Sequence, residues 1–234
     1  MPIFHCSSAC PLLEDHPMTD QTTDSAARGS PELWLLAARD MLLDAGVEAV
    51  KIQTLAAQLK LSRASFYWFF KDRKALLSAL LDLWRDKNTG NIVKRAGSYA
   101  DSLAEAVLNV SDCWFDDRLF DSKFEFAVRS WALQSPEVLA EVHEADRARI
   151  AALTAMFERF GRASISAAVR ARAIYLLQIG YISMQTAEDI DLRMSRMAEY
   201  VQVFTGVEPE AREMNRFFSR HGLDGAGTTA RHAS

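Results

Sequence analysis

Glycine and proline are scarce in this chain, 10 and 6 among 234 residues. Both break regular helices, so their rarity points to helical architecture. Strict apolar–polar alternation, the mark of a half-buried strand, is also missing. No apolar run approaches the ~20 residues that span a bilayer. The N-terminus has neither the basic region nor the apolar segment of a signal peptide, so a cytoplasmic location is expected. The three cysteines, Cys6, Cys10 and Cys113, lack metal-ligand spacing and read as free thiols in a reducing compartment. The signatures G-x-x-x-x-G-K-[ST], H-E-x-x-H, C-x-x-C and G-x-S-x-G are absent, so neither catalysis, metal nor cofactor is expected. Hydrophobic content is not lacking: 49% hydrophobic and 25% charged residues suit a globular protein. Excess positive charge is missing, at a net charge of −4. Any nucleic-acid-binding surface must therefore be local.

What is present is helical periodicity. Residues 1–29 hold Pro2, Pro11 and Pro17 without periodicity and read as a disordered tail, with Met18 as a second candidate start. The character changes at Ser30, where a capping serine, a proline and an acid stand in succession. Trp34, Ala38, Met41, Leu42 and Ala45 follow at helical spacing until Gly46, which predicts a helix over 31–45. Short helices are expected over 52–59 and 62–69. A longer one starts near Asp72, carries the stripe Leu76, Leu77, Leu80, Leu81 and Trp84, and fades at 88–90, though it could resume through Lys94. Further helices are expected near 99–115, 118–133, 136–160, 163–186, 190–204 and 208–219. The expected class is all-α: a head over 30–77, a body over 78–220, and a flexible tail over 221–234.

One stretch needs its own reason. From Ser62 the chain reads SRASFYWFFKDRKALL, with five consecutive aromatics, Phe66 to Phe70. Two short helices behind a supporting helix describe a helix-turn-helix. Helical spacing sets Phe66 and Phe70 on the face of Leu55 and Leu59, as core, while Trp68 is expected to pack on the body or the long helix. Ser62, Arg63, Ser65 and Tyr67 fall on other faces. Arginine suits guanine O6 and N7, and the Tyr67 hydroxyl and the helix-start amides suit phosphates. Lys71, Arg73 and Lys74 would meet the flanking backbone. Between residues 51 and 74 stand six cations and one acid, Asp72, a local charge of +5. The rest of the chain carries −9. A local basic patch is an electrostatic footprint for DNA; the bland alternative is a solvated basic face on a helical bundle.

The segment IQTLAAQLKLSRASFYWFFKDRKALLSALL resembles the helix-turn-helix of TetR-type (TetR/AcrR-like) transcriptional regulators. The likeness rests on Leu55-Ala56, Ser62, Ala64, Phe66-Tyr67, Phe70, Arg73 and Ala75-Leu76. It implies a homodimer with DNA-binding heads and helical bodies that dimerise and sense a ligand, most often as a repressor on a palindromic operator. Carried over by position, Gln53, Arg63, Ala64, Ser65, Tyr67 and Phe69 would face DNA. Arg73 would take the role of a phosphate-contacting lysine, with Lys51, Lys71 and Lys74 beside it. Three positions depart from the pattern: Lys51 stands where a capping Thr or Ser is frequent, Lys60 where the turn often has glycine, and Phe69 where a polar residue is common.

In the body, polar residues that interrupt apolar faces are the best clues to a small-molecule effector site. Trp114, Phe126, Arg129, Tyr175, Gln178 and Tyr181 are the candidates, although Arg129 could equally pair with Glu125 or Asp146. His143 reads as a surface residue. Residues 163–204 are the candidate dimer face, through Ile174, Leu177, Tyr181, Met184, Leu192, Met194 and Met197. A helical interaction protein without DNA binding is the alternative reading; a DNA-binding regulator would be nucleoid-associated.

Overall fold

The structure, a computed structural model, describes residues 29–223. Helix α1 spans Pro31–Ala45. The Ser30 hydroxyl accepts from the Leu33 amide at 3.2 Å, Pro31 fills the first position, and Gly46 ends the helix at φ 78°. A 3-10 turn, Val47–Ala49, leads to α2, Ile52–Leu59. Lys51 cannot accept a hydrogen bond, and α2 indeed starts without a side-chain cap. It ends at Lys60 with φ 55° and ψ 36°. A side chain in that left-handed region costs about 1–2 kcal/mol, and this turn sets the angle of the next helix.

Helix α3 is Arg63–Phe66, shorter than the expected 62–69. Ser62 caps it, accepting from the Ser65 amide at 3.1 Å. Residues 67–69 then form a turn, and the Phe70 amide returns to the Phe66 carbonyl at 3.0 Å. The turn lets both phenylalanines reach inward: Phe66 is fully buried, Phe70 stacks on it at 5.5 Å, and Trp34 meets it edge-on at 5.4 Å. Helix α4, Arg73–Trp84, is capped by Asp72, which accepts from the Ala75 amide at 2.8 Å.

The long helix does not stop at 88–90 but runs on through Lys94, the alternative that its sequence left open. It widens into a π segment, Arg85–Thr89, and continues as α5, Gly90–Gly97. The wider turn carries Asn88 and Thr89 into the interior, where both are buried. There follow α6 (Leu103–Ser111), a 3-10 turn at Asp112–Trp114, α7 (Ser122–Ala132), α8 (Pro136–Arg159) and α9 (Ser164–Ser183). The expected helix over 190–204 breaks at Arg196 into α10 (Ile190–Ser195) and α11 (Met197–Thr205). The last helix is α12, Ala211–Arg220. Two residues of the expected flexible tail are held in place: His221 Nε2 lies 2.9 Å from Asp112, and Leu223 packs on the body core. The rest of that tail, the N-terminal tail, Cys6 and Cys10 lie outside the described residues. The described residues are all-α, with no strand.

Two large apolar clusters and a small one, around Ile92, Cys113, Phe120 and Ile182, hold the described residues. In the first, Trp34, Phe66, Leu76 and Leu80 share one cluster with Phe124 and Val128 of α7 and Val138 and Val142 of α8. Head and body are thus packed together across residue 78. The second joins α6, α8, α9, α11 and α12 around Phe157, Tyr175 and Phe217. Cys113 is buried, and burial pushes its thiol up to about 12, which makes it inert near neutral pH. Among the described residues no helix is long and apolar enough to cross a membrane.

Candidate nucleic-acid interface and effector cavity

The head presents the surface expected of its pattern in part. Lys51, Gln53, Arg63, Ala64, Tyr67, Lys71 and Lys74 are exposed. Tyr67 is 58% exposed, with its ring edge-on to Phe66 at 5.4 Å, so the buried phenylalanine holds it. Three expectations fail. Ser65 is 2% exposed and its hydroxyl donates to the Ser62 carbonyl at 2.6 Å, so it closes the first turn of α3 from inside. Phe69 is half-buried against the head core, which suits an apolar side chain where a polar one is common. Trp68, in the turn at 67–69, is 67% exposed where burial on the body or the long helix was expected.

Arg73 has a different task from the one its position implied. Its Nε donates to the Val50 carbonyl at 2.6 Å and its Nη2 to the Val47 carbonyl at 2.5 Å. These bonds tie the start of α4 to the segment that precedes α2. Arg73→Ala is expected to cost about 1–3 kcal/mol in urea unfolding, since two carbonyls lose their donor. It leaves the slope of log DNA affinity against log salt unchanged. Removing a lysine that meets phosphate lowers that slope by about 0.9, which is the result expected if Lys74, exposed and 3.7 Å from Glu137, does so.

In the body, Arg129 and Tyr175 belong to a buried polar network, not to a cavity. Glu125 is fully buried and accepts from five donors: Trp84 Nε1 at 2.7 Å, Asn88 Nδ2 at 3.0 Å, Arg129 Nε at 2.9 Å, and Arg149 Nη1 and Nη2 at 2.7 and 3.1 Å. Arg149 is also fully buried; it reaches Thr89 at 2.9 Å and the Tyr175 hydroxyl at 3.0 Å, and stacks over Trp84 at 5.1 Å. Arg129 pairs with Asp146 as well, and the Tyr175 hydroxyl donates to Asp146 at 2.5 Å. Two carboxylates thus balance two guanidiniums, and the π segment supplies Asn88 and Thr89. Burial alone would raise the Glu125 carboxyl; the Arg149 and Arg129 charges and the Asn88 hydrogen bond outweigh it and hold the group below its usual value. Burial raises the Tyr175 phenol.

The cavity lies elsewhere, between head and body, with a volume of about 930 Å³. Of the six expected effector residues, Phe126, Gln178 and Tyr181 line it. Arg129 and Tyr175 are turned into the network, and Trp114 packs between the body clusters. The residues that sequence reasoning missed form the head wall, Leu42 to Glu48, and most of the body wall, Lys123, Trp131 and Arg193 among them. Leu42 and Leu43 read as ordinary core, and nothing local marked Arg193. Beside the cavity, Arg39 of α1 forms an ion pair with Asp121, the cap of α7.

Residues 35–80, which run from α1 into α4, match the family of bacterial regulatory proteins, tetR family. Comparison with curated proteins finds no match. Several solved structures are similar. A transcriptional regulator of Streptomyces coelicolor A3(2) is 17% identical with a TM-score of 0.53, over 75% of this chain and 98% of that one. GusR of Salmonella enterica is 15% identical with a TM-score of 0.54, over 82% and 95%. A protein described as a TetR-family transcriptional regulator of Mesorhizobium loti is 12% identical with a TM-score of 0.52, over 81% and 95%. At these identities the likeness is one of fold, and it extends through head and body.

Proposed function

We propose that this chain, a TetR-type DNA-binding regulator by its head and its fold, is a ligand-responsive repressor that acts as a homodimer on a palindromic operator. The observation that carries the reading is the head surface. Arg63, Ala64 and Tyr67 stand exposed at the start of α3, flanked by Lys51, Lys71 and Lys74, in a segment of charge +5. Such a face fits bases in the major groove and the phosphates beside them. Residues 30–77 act as the DNA-binding unit and 78–220 as the sensing and dimerising unit. The effector occupies the cavity between them, and the protein works at the nucleoid.

The dimer reading rests on an unpartnered apolar stripe. Along α9, Ile165, Val169, Leu176 and Met184 are 83%, 62%, 52% and 79% exposed, and they recur at helical spacing. Val203 on α11 and Leu192 on α10 are also exposed. Of the seven residues expected there, Ile174, Met194 and Met197 are core, Tyr181 lines the cavity, and Leu177, Met184 and Leu192 stay exposed. Exposed stripes of this kind mark protein interfaces. Light scattering should give twice the 26.2 kDa chain mass, and Leu176→Glu with Val169→Glu should give a single chain. A wild-type monomer at micromolar concentration contradicts the dimer.

DNA affinity measured across salt concentrations tests the function. A phosphate-binding head loses affinity steeply, log K falling ~0.9 per phosphate neutralised for each unit of log salt. A folded dimer with no measurable DNA affinity at low salt would overturn the reading.

A further inference from the structure

The cavity has two unlike walls. The head wall is the end of α1 and the turn at 46–48, with Val47 among apolar neighbours and with Asp44 and Glu48. The body wall sets Phe126, Trp131 and Tyr181 among polar side chains such as Gln134, Gln178 and Gln185, and carries the cations Arg193 and Lys123. A volume of about 930 Å³ lies within the ~300–1,000 Å³ of drug-sized ligand sites.

Arg193 is the unusual group. Its Nη2 donates to Gln178 Oε1 at 2.7 Å, and its guanidinium lies 4.9 Å from the Phe115 ring centre and 5.0 Å from that of Tyr181. Among the described residues no carboxylate forms an ion pair with it; the nearby Glu188 pairs with Arg196. Arg129 and Arg149 share Glu125, whereas Arg162 and Arg170 donate only to the carbonyls that end α11; of these five arginines Arg193 is the one that lines the cavity. Burial lowers the pKa of Arg193, and the neighbouring Tyr181, Glu188 and Tyr200 offset this only in part. A half-buried guanidinium held by one amide and two aromatic faces keeps N–H donors free for an anion.

We infer that this cavity is a site for a small monoanionic carboxylate with an apolar body, its carboxylate on the Arg193 fork and its body along Phe126, Trp131 and Tyr181. The acids on the head wall select against a second anionic group. This deepens the effector reading above and rests on it for its regulatory meaning. A molecule there touches Val47, whose carbonyl Arg73 holds, and the chain enters α2 five residues after Val47. Its arrival therefore bears on the strut that sets the DNA-reading helices against α4.

The test uses the full chain without DNA. Three monocarboxylates of graded apolar body (octanoate, 4-phenylbutyrate and 1-naphthaleneacetate) and their primary amides are titrated calorimetrically. The carboxylates should bind at least about ten-fold more tightly than their amides, as charge-assisted pairing predicts. In Arg193→Gln that preference should vanish with amide binding unchanged. Arg193→Lys, which keeps charge without the planar fork, should retain part of it. Ser130→Trp, which fills the cavity, should remove binding of both. No preference in the wild type, or a preference that survives Arg193→Gln, overturns the site. Because DNA affinity is measured separately, the two readings fail separately. A protein that binds DNA but takes no carboxylate loses only this site; one that takes carboxylates through Arg193 but binds no DNA keeps the site and loses the regulator.

Discussion

Glu125→Ala is expected to lower the unfolding free energy by about 3–5 kcal/mol, because it leaves a buried guanidinium without its counter-charge. Arg149 sits fully buried against Trp84, with Glu125 as its carboxylate partner. For a chain of this length that loss corresponds to roughly 6–20 °C in Tm. Glu125→Gln keeps the shape and removes the charge, so it should cost nearly as much. The double variant Glu125→Leu/Arg149→Met should be less destabilised than the two single changes summed, since no charge is then stranded. It still leaves Trp84 and Asn88 donors unpaired, at about 1–3 kcal/mol each. A urea-unfolding cycle reads all four proteins; additive losses would mean that Glu125 and Arg149 are not coupled. The pH sign follows from the lowered carboxyl. The Glu125 contribution is whole above the ordinary value of 4.5 and is lost as pH falls through the folded value. Acid destabilisation should therefore be shallower in Glu125→Gln.

Arg63→Ala with Tyr67→Ala should lower specific DNA affinity by about 10²–10³-fold. A bidentate arginine–guanine pair contributes about 1–3 kcal/mol, and a tyrosine–phosphate hydrogen bond about 1–1.5. Both side chains are exposed, so the fold should lose little. Arg63→Ala alone should relax preference at one base position in each half-site, and Lys71→Ala should weaken binding to all sequences alike. The two effects separate base reading from phosphate binding. If Arg63→Ala changes overall affinity but not sequence preference, Arg63 is a phosphate contact instead.

How much of this was legible depends on how local each cause is. The limits of α1 were written in Ser30, Pro31 and Gly46, because caps act within one turn. The helix-turn-helix was legible because Phe66 and Phe70 must share a face with Leu55. The α3 helix was read too long, since five aromatics look helical until two of them must reach the same core. The π segment carried no local mark; Asn88 and Thr89 turn inward for partners on α7 and α8. Arg129 was read as a pocket residue with Glu125 and Asp146 as the alternative, and the ion pairs won. The cavity was the least legible feature. Its walls come from segments some 80 to 150 residues apart, so its polar anchor, Arg193, has meaning only in three dimensions.

The central claim is sequence-specific DNA binding by a dimer. Selection of duplexes from a random pool, read by sequencing, tests it most directly, with the Arg63→Ala/Tyr67→Ala variant in parallel. The expected result is an enriched palindrome whose half-sites lie about 10 bp or a multiple apart, absent from the variant's pool. A folded wild-type dimer that enriches nothing at low salt, or enriches the same sequences as the variant, would contradict the account.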